Sequence, residues 1–301
     1  MGGFKATCGR IYRRLTTFLR DSCLARLSIG RLEKVADTAL RFRLRCHEYV
    51  RQKQARRHPG IQPEIRSSMD GSTLHRSILE PRPPWANLDT DTPAIPGMLT
   101  PAERAYYAYL PRFYRGAGEV VELGPWLGLS THYLINGLKH NPAFTDKQLH
   151  VYDDFTWRCA WMNKWLDDTG IPPLENHACF LPLFEQFMAS SEHRLAVTRC
   201  KITDYDGNES LPEITWNKGP IEIIIVDCGR PLQVNEAWYR VFAPYFIPNT
   251  TLVVMQDWQN YKRVPEEYWE NTKLFTDSKM EALDMIHEVA GGGIATFIYR
   301  G

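Results

Sequence analysis

The stretch Glu119-Val120-Val121-Glu122-Leu123-Gly124-Pro125-Trp126-Leu127-Gly128-Leu129-Ser130 changes character at its middle. Its first five residues read as a short buried strand, and an apolar helical pattern runs from the far side through Leu138. Gly124 allows the sharp turn between them, and Gly128 lets the helix start close to whatever lies in the adjoining crevice. A buried strand turning through glycine into a helix is the opening unit of a layered α/β sheet.

The same alternation continues downstream. Gln148–Tyr152 reads as a second strand ending in Asp153-Asp154, and Leu195–Ile202 as a third. Ile221–Val226 is a fourth, apolar on both faces as a central parallel strand must be. Thr251–Met255 is a fifth. Helices are expected at Leu181–Met188, Asn235–Phe246 and Glu266–Phe275, and a tryptophan-bearing one along Trp157, Trp161 and Trp165. Those rings, four apart, read equally as a lid for an acceptor and as a face packed under the sheet. The strands Leu283–Val289 and Ile294–Tyr299, joined by three glycines, must form an antiparallel hairpin. The expected fold is thus α/β, a doubly wound, mostly parallel seven-stranded sheet covered on both faces.

Upstream, Thr100-Pro101-Ala102-Glu103 opens a helix as N-cap, N1 proline and capping-box acid, running to about Arg115. The expected domain spans 98–301. Before it, residues 59–97 carry seven prolines and read as a linker or a strap over the surface. Residues 1–58 read as a basic helical N-terminal extension, with Leu32, Val35, Ala39, Phe42, Cys46 and Tyr49 forming an apolar stripe.

Charge is balanced overall, 36 Lys+Arg against 35 Asp+Glu, but residues 1–60 hold 15 of the basic and only 4 of the acidic groups. A basic arm on an acidic body expects an anionic partner, whether a membrane surface, nucleic acid or the body itself, and the arm's helix can also dock on a second subunit of a homo-oligomer. No apolar run approaches the ~20 residues of a membrane span. The seven cysteines show no CxxC spacing, so neither a zinc site nor a redox motif is read. Arg10, Arg13, Arg14 and Arg20 interrupt every candidate secretory core, and the expected location is cytoplasmic, with membrane-peripheral and mitochondrial placement as alternatives.

In a doubly wound sheet, ligands lie beyond the carboxyl ends of the strands. A dinucleotide fingerprint would want glycines at 124, 126 and 129, but Trp126 and Leu129 stand at the last two. An indole there blocks approach of a pyrophosphate, and Glu122 brings a repelling carboxylate. The ligand expected is a phosphate-free nucleoside with a cationic or zwitterionic group, and NAD is disfavoured. Asp153 suits a ribose diol, accepting from both hydroxyls.

The pattern Glu122-x-Gly124-x-x-x-Gly128-x-Ser130, with Asp153 after the second strand, resembles the first motif of class I S-adenosylmethionine-dependent methyltransferases, and within them the macrocin O-methyltransferase-like group. The resemblance implies a Rossmann-like methyltransferase fold over 98–301 and S-adenosylmethionine as cofactor. It further implies O-methyl transfer to a small molecule or glycan, with Glu122, Gly124, Trp126, Gly128, Ser130, Asp153 and Asp204 on the cofactor side. In that group acids after the fourth and fifth strands hold a divalent metal. Here Asp227 is kept without its second acid, and Gln256-Asp257 stands where two acids are expected. Asp227, Gln256 and Asp257 are therefore the candidate Mg²⁺ ligands. The alternative makes Asp227 or Asp257 the base that accepts the hydroxyl proton, with His132 next. Glu175 and His177 are further candidates for contacting the acceptor.

Two other readings stay open: an RNA or protein methyltransferase anchored by the basic arm, and a non-catalytic S-adenosylmethionine-binding scaffold. Nucleic-acid base methylation is disfavoured, because Asp227-Cys228-Gly229-Arg230 lacks the Asn/Asp-Pro-Pro-aromatic signature of such enzymes.

Overall fold

The computed structural model describes residues 91 and 93–301, apart from 159, 168, 204–209, 229, 263, 265, 266 and 291. The expected basic extension, its apolar stripe and nearly all of the proline-rich linker lie outside the described residues, as does Asp204.

The capping box at Thr100 is realised. The Glu103 backbone N–H donates to the Thr100 hydroxyl (3.3 Å) while the Thr100 N–H donates to the Glu103 carboxylate (2.7 Å). This fixes the start of α1 (Pro101–Tyr109), and a 3₁₀ turn over Leu110–Phe113 completes the segment expected to be helical. Strand β1 (Glu119–Leu123) leads through Gly124 to α2 (Leu129–Leu138). Then come β2 (Leu149–Asp153), α3 (Leu181–Met188), β3 (Leu195–Arg199), β4 (Ile221–Val226), α4 (Leu232–Phe242), β5 (Leu252–Met255) and α5 (Glu267–Ser278). The chain closes with β6 (Leu283–Glu288) and β7 (Ala295–Tyr299).

The strands form one seven-stranded sheet in the order β3-β2-β1-β4-β5-β7-β6. The first five are parallel, while β7 runs antiparallel to both β5 and β6, as the glycine hairpin requires. This is the doubly wound, mostly parallel seven-stranded sheet expected from the sequence. Alternation along β4 divides the core into two layers. Ile223 and Ile225 join α1, α2 and α3 on one face, and Ile224 and Val226 join Trp238, Phe242 and Phe275 of α4 and α5 on the other. All six residues of β4 are buried, and each large apolar side chain so enclosed contributes roughly 1.5–3 kcal/mol. No described helix is long and apolar enough to cross a membrane.

The tryptophan-bearing segment departs from expectation. Thr156 pairs with Cys179 in an isolated bridge, and the Trp157 N–H donates to the Ala178 carbonyl (2.8 Å), so the chain is bridge-paired and not helical at Thr156 and Trp157. Only Ala160–Trp165 winds, as a 3₁₀ helix with three residues per turn. Trp157 is therefore not on a helical face shared with Trp161 and Trp165. It is wholly buried, with Trp126 on one side and Phe180 on the other.

Candidate active site

Hydrogen bonds run past the end of each central strand and hold the strand termini level. The Gly124 N–H donates to Tyr152 O (2.9 Å), Asp227 N–H to Leu123 O (2.8 Å), Gln256 N–H to Val226 O (3.0 Å) and Cys200 N–H to Asp153 O (2.9 Å). Above this row opens a cavity of about 890 Å³, the size of sites that take drug-sized ligands. Gly124, Trp126, Ser130, Asp153 and Thr203 line one part, and Asp227, Arg230, Gln256 and Asp257 another. Leu99, Glu103, Met162 and Trp269 also line it.

Gly124 takes φ +84°, and a Cβ there would stand 3.0 Å from the Asp227 carbonyl carbon, so glycine is what lets β1 end so close to β4. Gly128, at φ +97°, does not line the cavity. A Cβ on it would lie 2.9 Å from Met188 Sδ, so its missing side chain makes room for α3, where the sequence suggested room for a ligand.

Glu122 is 1% exposed and does not line the cavity either. It faces α2, where the Ser130 hydroxyl donates to one of its oxygens (2.5 Å) and the Thr131 hydroxyl to the other (2.6 Å). Burial lifts its pKa from 4.5 to about 7 against the pull of those two donors. Its visible task is to lock the first turn of α2, and hence Ser130, against the cavity floor.

Asp153 does line the cavity. Its carboxylate accepts from the Phe155 N–H (2.6 Å), and burial raises its pKa from 3.8 to about 6, with that hydrogen bond and Arg158 working against the rise. Asp154 beside it is spent on structure, accepting from the Thr156 N–H (3.0 Å) and pairing with Arg158. Trp126 forms part of the wall in a left-handed backbone conformation (φ +47°), its ring 6.0 Å from that of Trp157. Neither indole N–H has a hydrogen-bond partner among the described residues. Asp257 is left-handed too, at φ +60°. Non-glycine residues held this way cost about 1–3 kcal/mol each and gather at functional sites.

On the other side Arg230 joins the two aspartates. Its Nη2 donates to Asp227 Oδ1 (3.2 Å) and to the Asp257 carboxylate, and its Nη1 to the Asp227 carbonyl (3.1 Å). Burial pushes the Asp227 carboxyl well above the usual range, with Arg230 opposing and Asp257 reinforcing the rise. Gln256 is committed elsewhere: its Oε1 accepts from the Tyr107 hydroxyl (2.8 Å) and its Nε2 donates to Glu103 (2.9 Å). The expected metal set thus does not fit a divalent cation. The Gln256 amide oxygen is taken, a guanidinium bridges the two carboxylates, and no cluster of three His, Cys, Asp or Glu suited to a metal exists among the described residues.

The remaining candidates lie apart. His132 faces Asp91 (2.9 Å) on the outer side of α2, and Glu175 and His177 are exposed; none of the three lines the cavity. Sequence reasoning assigned no site role to Arg230, Tyr107 or Trp269, and to Glu103 only the capping box of α1. A basic residue three positions after Asp227 was the one available signal, while the partners Tyr107 and Gln256 are 149 residues apart.

No protein-family model matches the sequence, and no curated protein is significantly similar to it. Among solved structures, the chain is similar to an SAH-bound methyltransferase of Podospora anserina at 11% identity, TM-score 0.45, covering 68% of this chain and 80% of that one. An O-methyltransferase from Bacillus cereus in complex with SAH gives 13%, 0.42, 67% and 82%, and the cofactor-bound Rv0187 from MTB gives 16%, 0.44, 73% and 99%. Likeness at this level carries no activity over to the present chain.

Proposed function

We propose that this protein transfers a methyl group from S-adenosylmethionine to a hydroxyl of a small molecule or glycan. The observation that carries the reading is that Asp153, at the end of β2, opens onto the same cavity as Asp227 and Asp257, at the ends of β4 and β5. A carboxylate at the first position suits a ribose diol. Carboxylates at the second suit a hydroxyl that must lose its proton.

In the reaction the acceptor oxygen attacks the methyl carbon, a new O–C bond forms as the C–S bond breaks, and the electron pair of that bond stays on sulfur. The hydroxyl proton passes to Asp227 or Asp257. Holding acceptor and sulfonium in line is the larger contribution, since fixed orientation removes the entropic cost of their encounter. Glu122 supports this indirectly, through Ser130. Leu99, Met162 and Trp269 give the cavity an apolar and aromatic lining, which suits an acceptor with an apolar or ring-shaped body.

The test is incubation of full-length protein with methyl-labelled S-adenosylmethionine and separated small-molecule, glycan and macromolecular fractions of a cell lysate. Label is expected in the small-molecule or glycan fraction, in a base-stable ether. Label confined to RNA or protein would transfer the activity to the basic-arm alternative, and no label in any fraction, with the ligand bound, would leave a scaffold.

A further inference from the structure

Between Asp227 and Asp257 the cavity holds a fixed positive charge contributed by the chain itself. The Arg230 guanidinium reaches both carboxylates and the Asp227 carbonyl, and its carbon lies 5.7 Å from the centre of the Trp269 ring. The cation is thus held by three oxygens and lies over the Trp269 ring, an arrangement suited to a guanidinium. Asp257 is turned towards it by a left-handed backbone (φ +60°), and Gly293 packs so close behind that a Cβ there would stand 3.2 Å from the Asp257 Cα. A divalent ion such as Mg²⁺ needs several oxygens at about 2.0–2.1 Å in near-octahedral order. Here the facing carboxylate oxygens accept from nitrogen, and the third candidate oxygen, on Gln256, accepts from Tyr107. Bringing a dication to the same two carboxylates would also set it against the guanidinium.

We propose that the guanidinium of Arg230 takes the position a divalent cation would otherwise occupy between Asp227 and Asp257, so that methyl transfer in this cavity runs without a metal ion. The exclusion of the ion rests on the geometry alone, while its consequence for the reaction rests on the methyl-transfer reading above. The acceptor hydroxyl is then oriented by a permanent cation and deprotonated by a carboxylate, with no metal-bound oxygen to lower its pKa.

The experiment is a titration of full-length protein with MnCl₂, following free Mn²⁺ by electron paramagnetic resonance, in parallel with calorimetric titration of S-adenosylmethionine into chelator-treated protein. Wild type is expected to leave Mn²⁺ free at millimolar concentration. Arg230→Ala, which removes the cation that bridges the two carboxylates, is expected to bind Mn²⁺ at least tenfold more tightly than wild type. One Mn²⁺ bound by wild type and lost in Asp227→Asn overturns the proposal, and so does an Arg230→Ala protein that binds no better than wild type. The wild-type measurement decides the question even where a variant fails to fold. If Mn²⁺ is excluded and S-adenosylmethionine gives no heat, the methyl-transfer reading fails while the exclusion stands.

Discussion

Replacing Glu122 by glutamine should remove a specific pH dependence of stability. The folded protein binds a proton on Glu122 up to about pH 7, whereas an unhindered carboxyl releases it near 4.5. Between those values the native state holds more protons than the unfolded chain, so unfolding releases a proton and stability falls as pH rises. The contribution is complete below about pH 4.5 and gone above about pH 7. At about 1.4 kcal/mol per pH unit the displacement from 4.5 to about 7 amounts to roughly 3 kcal/mol. Urea unfolding of wild type and Glu122→Gln at pH 5 and pH 7.5 measures it. Because the variant retains every other titrating group, the difference between the two pH dependences belongs to residue 122. Wild type should lose about 2–3 kcal/mol more than Glu122→Gln over this interval. Ser130→Ala, which deletes a donor that holds the pKa down, should extend the loss to higher pH. Equal pH dependences within about 0.5 kcal/mol, or a steeper one in the variant, would refute a buried, two-donor Glu122.

Gly128→Ala should lower Tm further than Gly170→Ala: both positions have positive φ, but only the first would meet Met188, while nothing lies within 4 Å of the second. The clash adds about 1–3 kcal/mol, or some 2–10 °C in a calorimetric scan; equal shifts would mean that α3 does not press on the start of α2. Tyr107→Phe strands the buried Gln256 oxygen and should cost about 1–3 kcal/mol in denaturant unfolding, and an unchanged midpoint would deny the bond. Adenosine affinity should weaken as pH falls through about 6, where Asp153 takes up its proton. A pH-independent affinity in wild type would show that Asp153 does not accept from the ribose.

The frame of the molecule could be read from sequence because its rules are local. The run Ile221–Val226, apolar but for Glu222, had to be a central strand, the glycines at 291–293 forced a reversal, and Thr100 with Glu103 announced a helix start. The tryptophan helix failed because spacing reports which face residues would share if a helix formed. The Thr156–Cys179 pairing, remote in sequence, held the chain in a bridge instead. Asp153, Asp227 and Asp257 could be placed on the cavity because each stands at, or within two residues of, a strand end that the sequence predicts. Glu122 looked like a ligand holder because nothing in the sequence tells that Ser130 and Thr131 both turn back onto it. Gln256 looked like a metal ligand because Tyr107 and Glu103, which occupy both ends of its amide, come from a helix about 150 residues earlier.

The most direct measurement is calorimetric titration of S-adenosylmethionine into the full-length chain and into Asp153→Ala. Loss of hydrogen bonds to a charged acceptor, at about 1.5–3 kcal/mol each, predicts saturable one-site heat in the wild type and at least tenfold weaker binding in the variant. Absence of heat in the wild type, or equal affinity in the two proteins, would contradict a ribose seated on Asp153 and with it the methyl donor.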